Sequence, residues 1–230
     1  MTSSFDTGIY AVDTRVDTRV DARPPAGAEA YNYPRRNLVK GDVLYTLGDP
    51  AEYVFRLEEG LVKQSLHLLN GHERITALAG PGDYIGAIGL QATYQDSAEV
   101  LSPHVAVSTI DTAELDEAVK DDLHLAAGSQ LSHLRETIED SELPVSARLA
   151  RMFLRLGHRF GNVSEDNHVH ITLPLTHENF AAMVGAARET TTALLGEMRA
   201  EGVISGTRGH YNYDHNVLSD YAVTASYQYS

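Results

Sequence analysis

The chain contains no cysteine. Disulfides, thiolate zinc sites, Cys-ligated iron–sulfur clusters and thiol nucleophiles are therefore excluded. Basic residues are scarce as well: 18 Lys and Arg face 32 Asp and Glu, a formal net charge of −14 over 230 residues. Such a deficit argues against strong non-specific adhesion to nucleic acid, because phosphate neutralisation supplies most of that affinity. No apolar run approaches the roughly 20 residues of a bilayer-crossing helix, and the opening MTSSFDTGIY lacks the apolar stretch of a secretory signal. A cytoplasmic protein without a membrane partner is expected. HExxH, a phosphate-binding loop and a Ser nucleophile elbow are also missing, so the chain is not expected to be an enzyme, and no cofactor is expected.

What is present is unevenly distributed. Residues 1–140 hold 23 acidic and 11 basic side chains, whereas residues 141–230 hold 9 and 7, with six of the eleven histidines. Residues 1–33 carry a tandem Val-Asp-Thr-Arg, Val-Asp-Thr-Arg, Val-Asp-Ala-Arg followed by Pro24-Pro25. That composition is too poor in apolar groups to offset its ordering entropy and reads as a flexible tail, the alternative being an edge strand.

Residues 34–111 alternate short apolar runs with turn residues. The runs are Val43–Tyr45, Tyr53–Leu57, Gly60–Val62, Leu66–Leu69, Ile75–Leu78 and Val105–Val107; Gly41-Asp42, Gly48-Asp49, Asn70-Gly71 and Pro81-Gly82-Asp83 separate them. Asn-Gly between such runs is a strong hairpin signal, and the regular spacing implies a β-roll large enough to enclose a small ligand. Over residues 112–143 the period changes. Ala127, Leu131, Leu134 and Ile138 recur at spacings 4, 3 and 4, a heptad seam that fits either a dimerisation helix or packing on the roll. Pro144 marks a boundary, and residues 144–230 follow as a separate region. There Val145–Phe160 is an amphipathic helix with Leu149, Met152, Phe153 and Leu156 inward and Arg148, Arg151, Arg155 and Arg159 available outside; a polar loop from Gly161 to Asn167 leads to a strand, Val169–Leu173.

Thr176–Gly202 carries the most specific pattern, two short amphipathic helices joined at Gly185. The first turns Phe180, Met183 and Val184 inward, the second Leu194, Leu195 and Met198. This is the spacing of a helix-turn-helix, whose second helix enters the major groove, or of an ordinary αα-hairpin. Arg188-Glu189 at the start of the second helix suits base readout, because Arg can bond both acceptors of guanine and Glu can accept from the cytosine amine. Gly202 stands at the helix end, and Val203–Tyr213 reads as a hairpin wing with Arg208 at its tip, placed to meet phosphate.

A β-roll, a seam helix and a winged helix in this order resemble the cyclic-AMP receptor protein/FNR family of bacterial transcription regulators. The resemblance rests on Val184-Gly185-x-x-Arg188-Glu189-Thr190, on Glu201–Ser205, and on the glycine cadence of Lys40–Asp42, Glu59–Val62 and Pro81–Gly86. It implies an α+β chain that binds double-stranded DNA as a homodimer on an inverted-repeat promoter site and works with RNA polymerase. It further implies that Arg188 and Glu189 read bases, that Thr190 and Thr192 lie beside them, and that Thr176 begins the first helix near phosphate. The chain departs from the family at Ala187, where many members have a polar N-cap, and at Ala193, where many have Arg. It departs again in the effector pocket: Ala87 replaces a ribose-binding Glu and Asp96, before Ser97, replaces a phosphate-binding Arg. A carboxylate there repels what the Arg would attract, so independence from cyclic AMP is expected, the alternative being a different small molecule.

Rival readings are a cupin-like metal enzyme and a protein-binding module. His67, His72 and Glu73 on the roll, and His168 and His170 on one strand, are the candidate ligands. Ligation needs three or four converging groups, and no metal is expected.

Overall fold

Three of the turns between the apolar runs are built by one repeated device. In each Gly-Asp pair the aspartate carboxylate accepts the amide three residues upstream: Asp42 from Val39 at 2.9 Å, Asp49 from Thr46 at 3.3 Å and Asp83 from Gly80 at 2.6 Å. The glycine before each takes φ near +90°, a conformation that side-chain-bearing residues rarely adopt.

The computed structural model describes residues 33–227; the Val-Asp-Thr-Arg tail lies outside them. Eight strands form the roll: β1 (Arg35–Val39), β2 (Val43–Tyr45), β3 (Tyr53–Glu59), β4 (Val62–His67), β5 (Glu73–Ala79), β6 (Tyr84–Gly86), β7 (Ser97–Val100) and β8 (His104–Asp111). They make two antiparallel sheets, ordered β1-β8-β3-β6 and β2-β7-β4-β5. Three strands, β1, β6 and β7, lie outside the six apolar runs of the sequence. Between the sheets Val54, Phe55, Leu57, Val62, Ile85, Val107 and Ile110 are buried.

Helix α1 (Glu117–Ser141) starts at Asp116, whose carboxylate accepts from the Val119 amide, the expected service of an Asp N-cap. It rests on the roll through buried Val119 and Leu123, with Ala127 half-buried against the same core. Leu131, Leu134 and Ile138 are exposed, at 69, 54 and 62 %, as is Leu125. Helix α2 (Val145–Phe160) has the bounds that its apolar spacing implies, and Leu149, Met152, Phe153 and Leu156 are all buried. Its arginines, in contrast, are engaged. Arg151 and Arg155 clasp the buried Asp140 carboxylate at 3.0 and 2.5 Å, Arg148 donates to the Val184 carbonyl at 2.7 Å, and Arg159 donates to the Leu78 carbonyl at 2.7 Å and pairs with Asp83. Helical spacing shows which side faces out, whereas these partners come from other elements.

The remaining elements are β9 (Gly161–Val163), β10 (His168–Thr172), α3 (His177–Val184), α4 (Arg188–Ala200), β11 (Ser205–Thr207), β12 (His210–Asp214) and α5 (His215–Ser226). The stretch read as a polar loop thus contains β9, paired with β10, and α5 has no counterpart among the elements expected from the sequence. The order β11-β12-β10-β9 forms the wing sheet. A second core joins Phe153, Phe180 and Tyr211, whose rings meet at 5.1–5.5 Å, with Leu195, Met198 and Leu218. Each such buried side chain contributes ~1.5–3 kcal/mol. Leu61, Ile75, Leu78 and Leu101 of the roll belong to this core too, so the winged helix is packed onto the β4–β5 hairpin.

Candidate nucleic-acid interface

Helix α3 begins with a capping box: the Thr176 hydroxyl accepts from the Asn179 amide, and the Asn179 side-chain oxygen accepts from the Thr176 amide at 2.9 Å. The Thr176 hydroxyl also bonds that oxygen, so its first task is to hold the helix start. The helix ends at Gly185, left-handed at φ +64°. A Cβ there would meet the Arg74 guanidinium of β5, the far end of a flexible side chain that can move aside, so it is the left-handed backbone that favours glycine at this turn.

This turn sets α4 beside α3. Leu195 and Met198 are buried and Leu194 is half-buried, which leaves Arg188, Glu189, Thr190, Thr192 and Ala193 exposed on the opposite face. Arg188 lies 3.7 Å from Glu178 of α3, both side chains about two-thirds exposed; a pair this open separates at little cost. Ala187 is the N-cap of α4 and provides no side-chain bond to it. At the far end the cap is Glu201, and Gly202 follows it at φ +74°. Arg199 donates to the Gly206 carbonyl at 2.8 Å and lies over the Tyr211 ring, which ties α4 to the wing. Arg208 sits exposed in the β11–β12 turn at φ +53°.

One residue on this face carried no signal in the sequence. His177 contacts Thr192 across the helix pair, Nδ1 to hydroxyl at 3.1 Å. Burial, then Arg199 and Arg188, hold its imidazole below the usual histidine pKa. The crossing of α3 and α4 creates this contact between residues 15 apart, and neither residue alone announces it.

In the roll, Ala87 is fully buried and the Ser97 hydroxyl accepts the Leu47 amide at 3.0 Å. Asp96 is bonded by the buried Gln64 amide at 2.9 Å and by the Tyr45 hydroxyl, and Tyr45 is stacked on Tyr94 at 4.1 Å. Burial pushes the Asp96 carboxyl above the ordinary carboxylate range. A cavity of about 320 Å³ opens elsewhere on the roll, lined by Ala51, Leu90, Gln91, Ala92 and Thr112. Among the described residues no cluster of three or more His, Asp or Glu is placed to hold a metal. Glu73 pairs with Lys63, and His168 and His170 bond Asp166 and Asn212. No helix among them is long and apolar enough to cross a membrane.

A sensor-type β-roll carrying a winged helix-turn-helix with an exposed second helix defines a DNA-binding transcription regulator. Comparison with known proteins agrees. The Cyclic nucleotide-binding domain family model matches residues 35–122, and that of the Crp-like helix-turn-helix domain matches residues 147–218. The chain belongs to the CRP/FNR family of transcription regulators, which are not enzymes. The transcriptional regulator LdrP of Thermus thermophilus is 27% identical over 177 residues, 74% of this chain and 87% of that protein. The CRP-like cAMP-activated global transcriptional regulator of Mycobacterium tuberculosis is 26% identical over 176 residues, 72% and 77% of the two chains. A solved CRP/FNR-family regulator, also from Thermus thermophilus, superimposes with a TM-score of 0.70 at 26% identity, covering 84% of this chain and all of that one.

Proposed function

We propose that the chain is a cytoplasmic regulator that binds an inverted-repeat promoter site as a homodimer and does so without cyclic AMP. The observation that carries this reading is the pair of free faces: the α4 face with Arg188, Glu189, Thr190 and Thr192, and the α1 stripe of Leu131, Leu134 and Ile138. Apolar side chains so exposed on one helix favour a second copy. Two-fold symmetry then presents two α4 helices to half-sites about one helical turn, ~34 Å, apart. Thr176 and Arg208 flank the readout as phosphate contacts, and RNA polymerase is the expected partner on the promoter. The functional division is 34–111 for the roll, 112–143 for the dimer helix and 144–230 for DNA binding.

Independence from cyclic AMP is supported by the chemistry at Ala87 and Asp96. The position that would face a phosphate holds a carboxyl already bonded to Gln64 and Tyr45, neither of them a cation. Selection of bound sequences from a random pool tests the main reading: inverted repeats support it, and direct repeats or single half-sites refute the dimer. Calorimetric titration tests the second part, which micromolar 1:1 binding of cyclic AMP would overturn.

A further inference from the structure

Resting on the reading of the α3–α4 face as the DNA surface, we propose that His177 is itself a DNA contact, a phosphate-facing imidazole whose protonation on binding also turns the Thr192 hydroxyl toward the bases. His177 stands at the first turn of α3, and its Nδ1 is 3.1 Å from Thr192 Oγ1. With Nδ1 so occupied, only Nε2 remains for an outside partner.

A neutral imidazole has one N–H, and the two sites compete for it. If Nδ1 donates to Thr192, Nε2 offers a lone pair that a phosphate oxygen repels. If Nε2 keeps the proton, the Thr192 hydroxyl must donate inward to Nδ1 and can no longer donate to the bases. The imidazolium resolves the conflict: Nε2–H donates to phosphate, Nδ1–H donates to Thr192, and the threonine hydroxyl is released to donate outward. The charged groups facing the ring are Arg188 and Arg199 of α4, with Glu178 beside it on α3 drawn to Arg188. Partial burial, then the two cations, hold the free imidazole below the usual histidine pKa, and a phosphate opposes that shift.

DNA binding therefore takes up protons. Affinity is greatest below the free-protein pKa of His177 and falls as pH rises through its DNA-bound pKa, about tenfold per subunit for each unit by which DNA raises it. The test is an anisotropy titration of the full chain on its selected operator between about pH 6 and about pH 8 at constant ionic strength, a range in which histidine is the natural titrating side chain. Wild type should bind about tenfold tighter per subunit at the acid end. His177→Gln, neutral but able to donate to Thr192, should lose that slope; His177→Arg should bind tightly with no slope. The titration of the other histidines cancels in the comparison. Selective binding with equal slopes in wild type and His177→Gln would overturn the proposal and leave the DNA face standing. Absence of selective binding at any pH would overturn both.

Discussion

At the scale of single residues, Thr191 shows how closely the recognition helix separates its duties. Its neighbours Thr190 and Thr192 are exposed, whereas Thr191 is fully buried with a hydroxyl that has no hydrogen-bond partner among the described residues. A buried unpaired hydroxyl costs about 1–3 kcal/mol, so Thr191→Val should stabilise the fold by about 1 kcal/mol while operator affinity stays unchanged; urea midpoints and binding titrations check the two halves. Arg188→Ala should cost about 1–3 kcal/mol of binding and relax a single base position. A loss uniform across all sequences would instead make Arg188 a phosphate contact. Asp96 is the third case. Burial raises its carboxyl pKa in the fold, so its ionisation works against folding, and the penalty grows as pH rises from below the unfolded carboxylate pKa through the folded one. Asp96→Asn should gain stability relative to wild type between about pH 4 and about pH 7, as read from denaturant midpoints. A constant difference across that range would contradict the sign.

At the scale of elements, legibility depended on whether an element's reason for existing is local. The bounds of α2 follow from the spacing of Leu149, Met152, Phe153 and Leu156 behind Pro144, and the α3–α4 pair follows from Gly185 between two apolar faces. Strands β6 and β7 have three and four residues, and β9 has three; ladder partners define such segments, and their own sequences do not. Helix α5 depends on an Asp214 side chain that caps the Asn216 and Val217 amides and on Leu218 meeting the second core. On the α4 face the exposure of Arg188 and Glu189 was readable from their positions in the motif, whereas the His177–Thr192 contact and the partners of the α2 arginines required the packed structure. The α1 stripe gives the test at this scale. Leu134→Glu with Ile138→Glu places charge on side chains that are exposed in the single chain, so the fold should be kept while sedimentation shows the proposed dimer lost. Retained dimers would relocate the interface.

At the scale of the whole molecule, the second core is shared. Leu61, Ile75, Leu78 and Leu101 of the roll are buried with Phe153, Phe180, Leu195 and Tyr211 of the winged helix, and the described residues fall in one compact unit. Neither part can unfold without exposing apolar surface of the other, so calorimetry should show a single transition with matching calorimetric and van't Hoff enthalpies. Two resolved transitions would mean that the shared core adds little.

The turn at Gly185 is held from outside the helix pair. Arg148 of α2 donates to the Val184 carbonyl at 2.7 Å and, at 3.5 Å, to the Gly185 carbonyl, whereas Arg74 of β5 only lies beside the glycine. The placing of the recognition helix thus passes through one side chain of a neighbouring helix, so Arg148→Ala should weaken operator binding although Arg148 is not on the exposed α4 face. The part of the protein with the least tolerance for displacement is steadied by a residue that the motif itself does not contain.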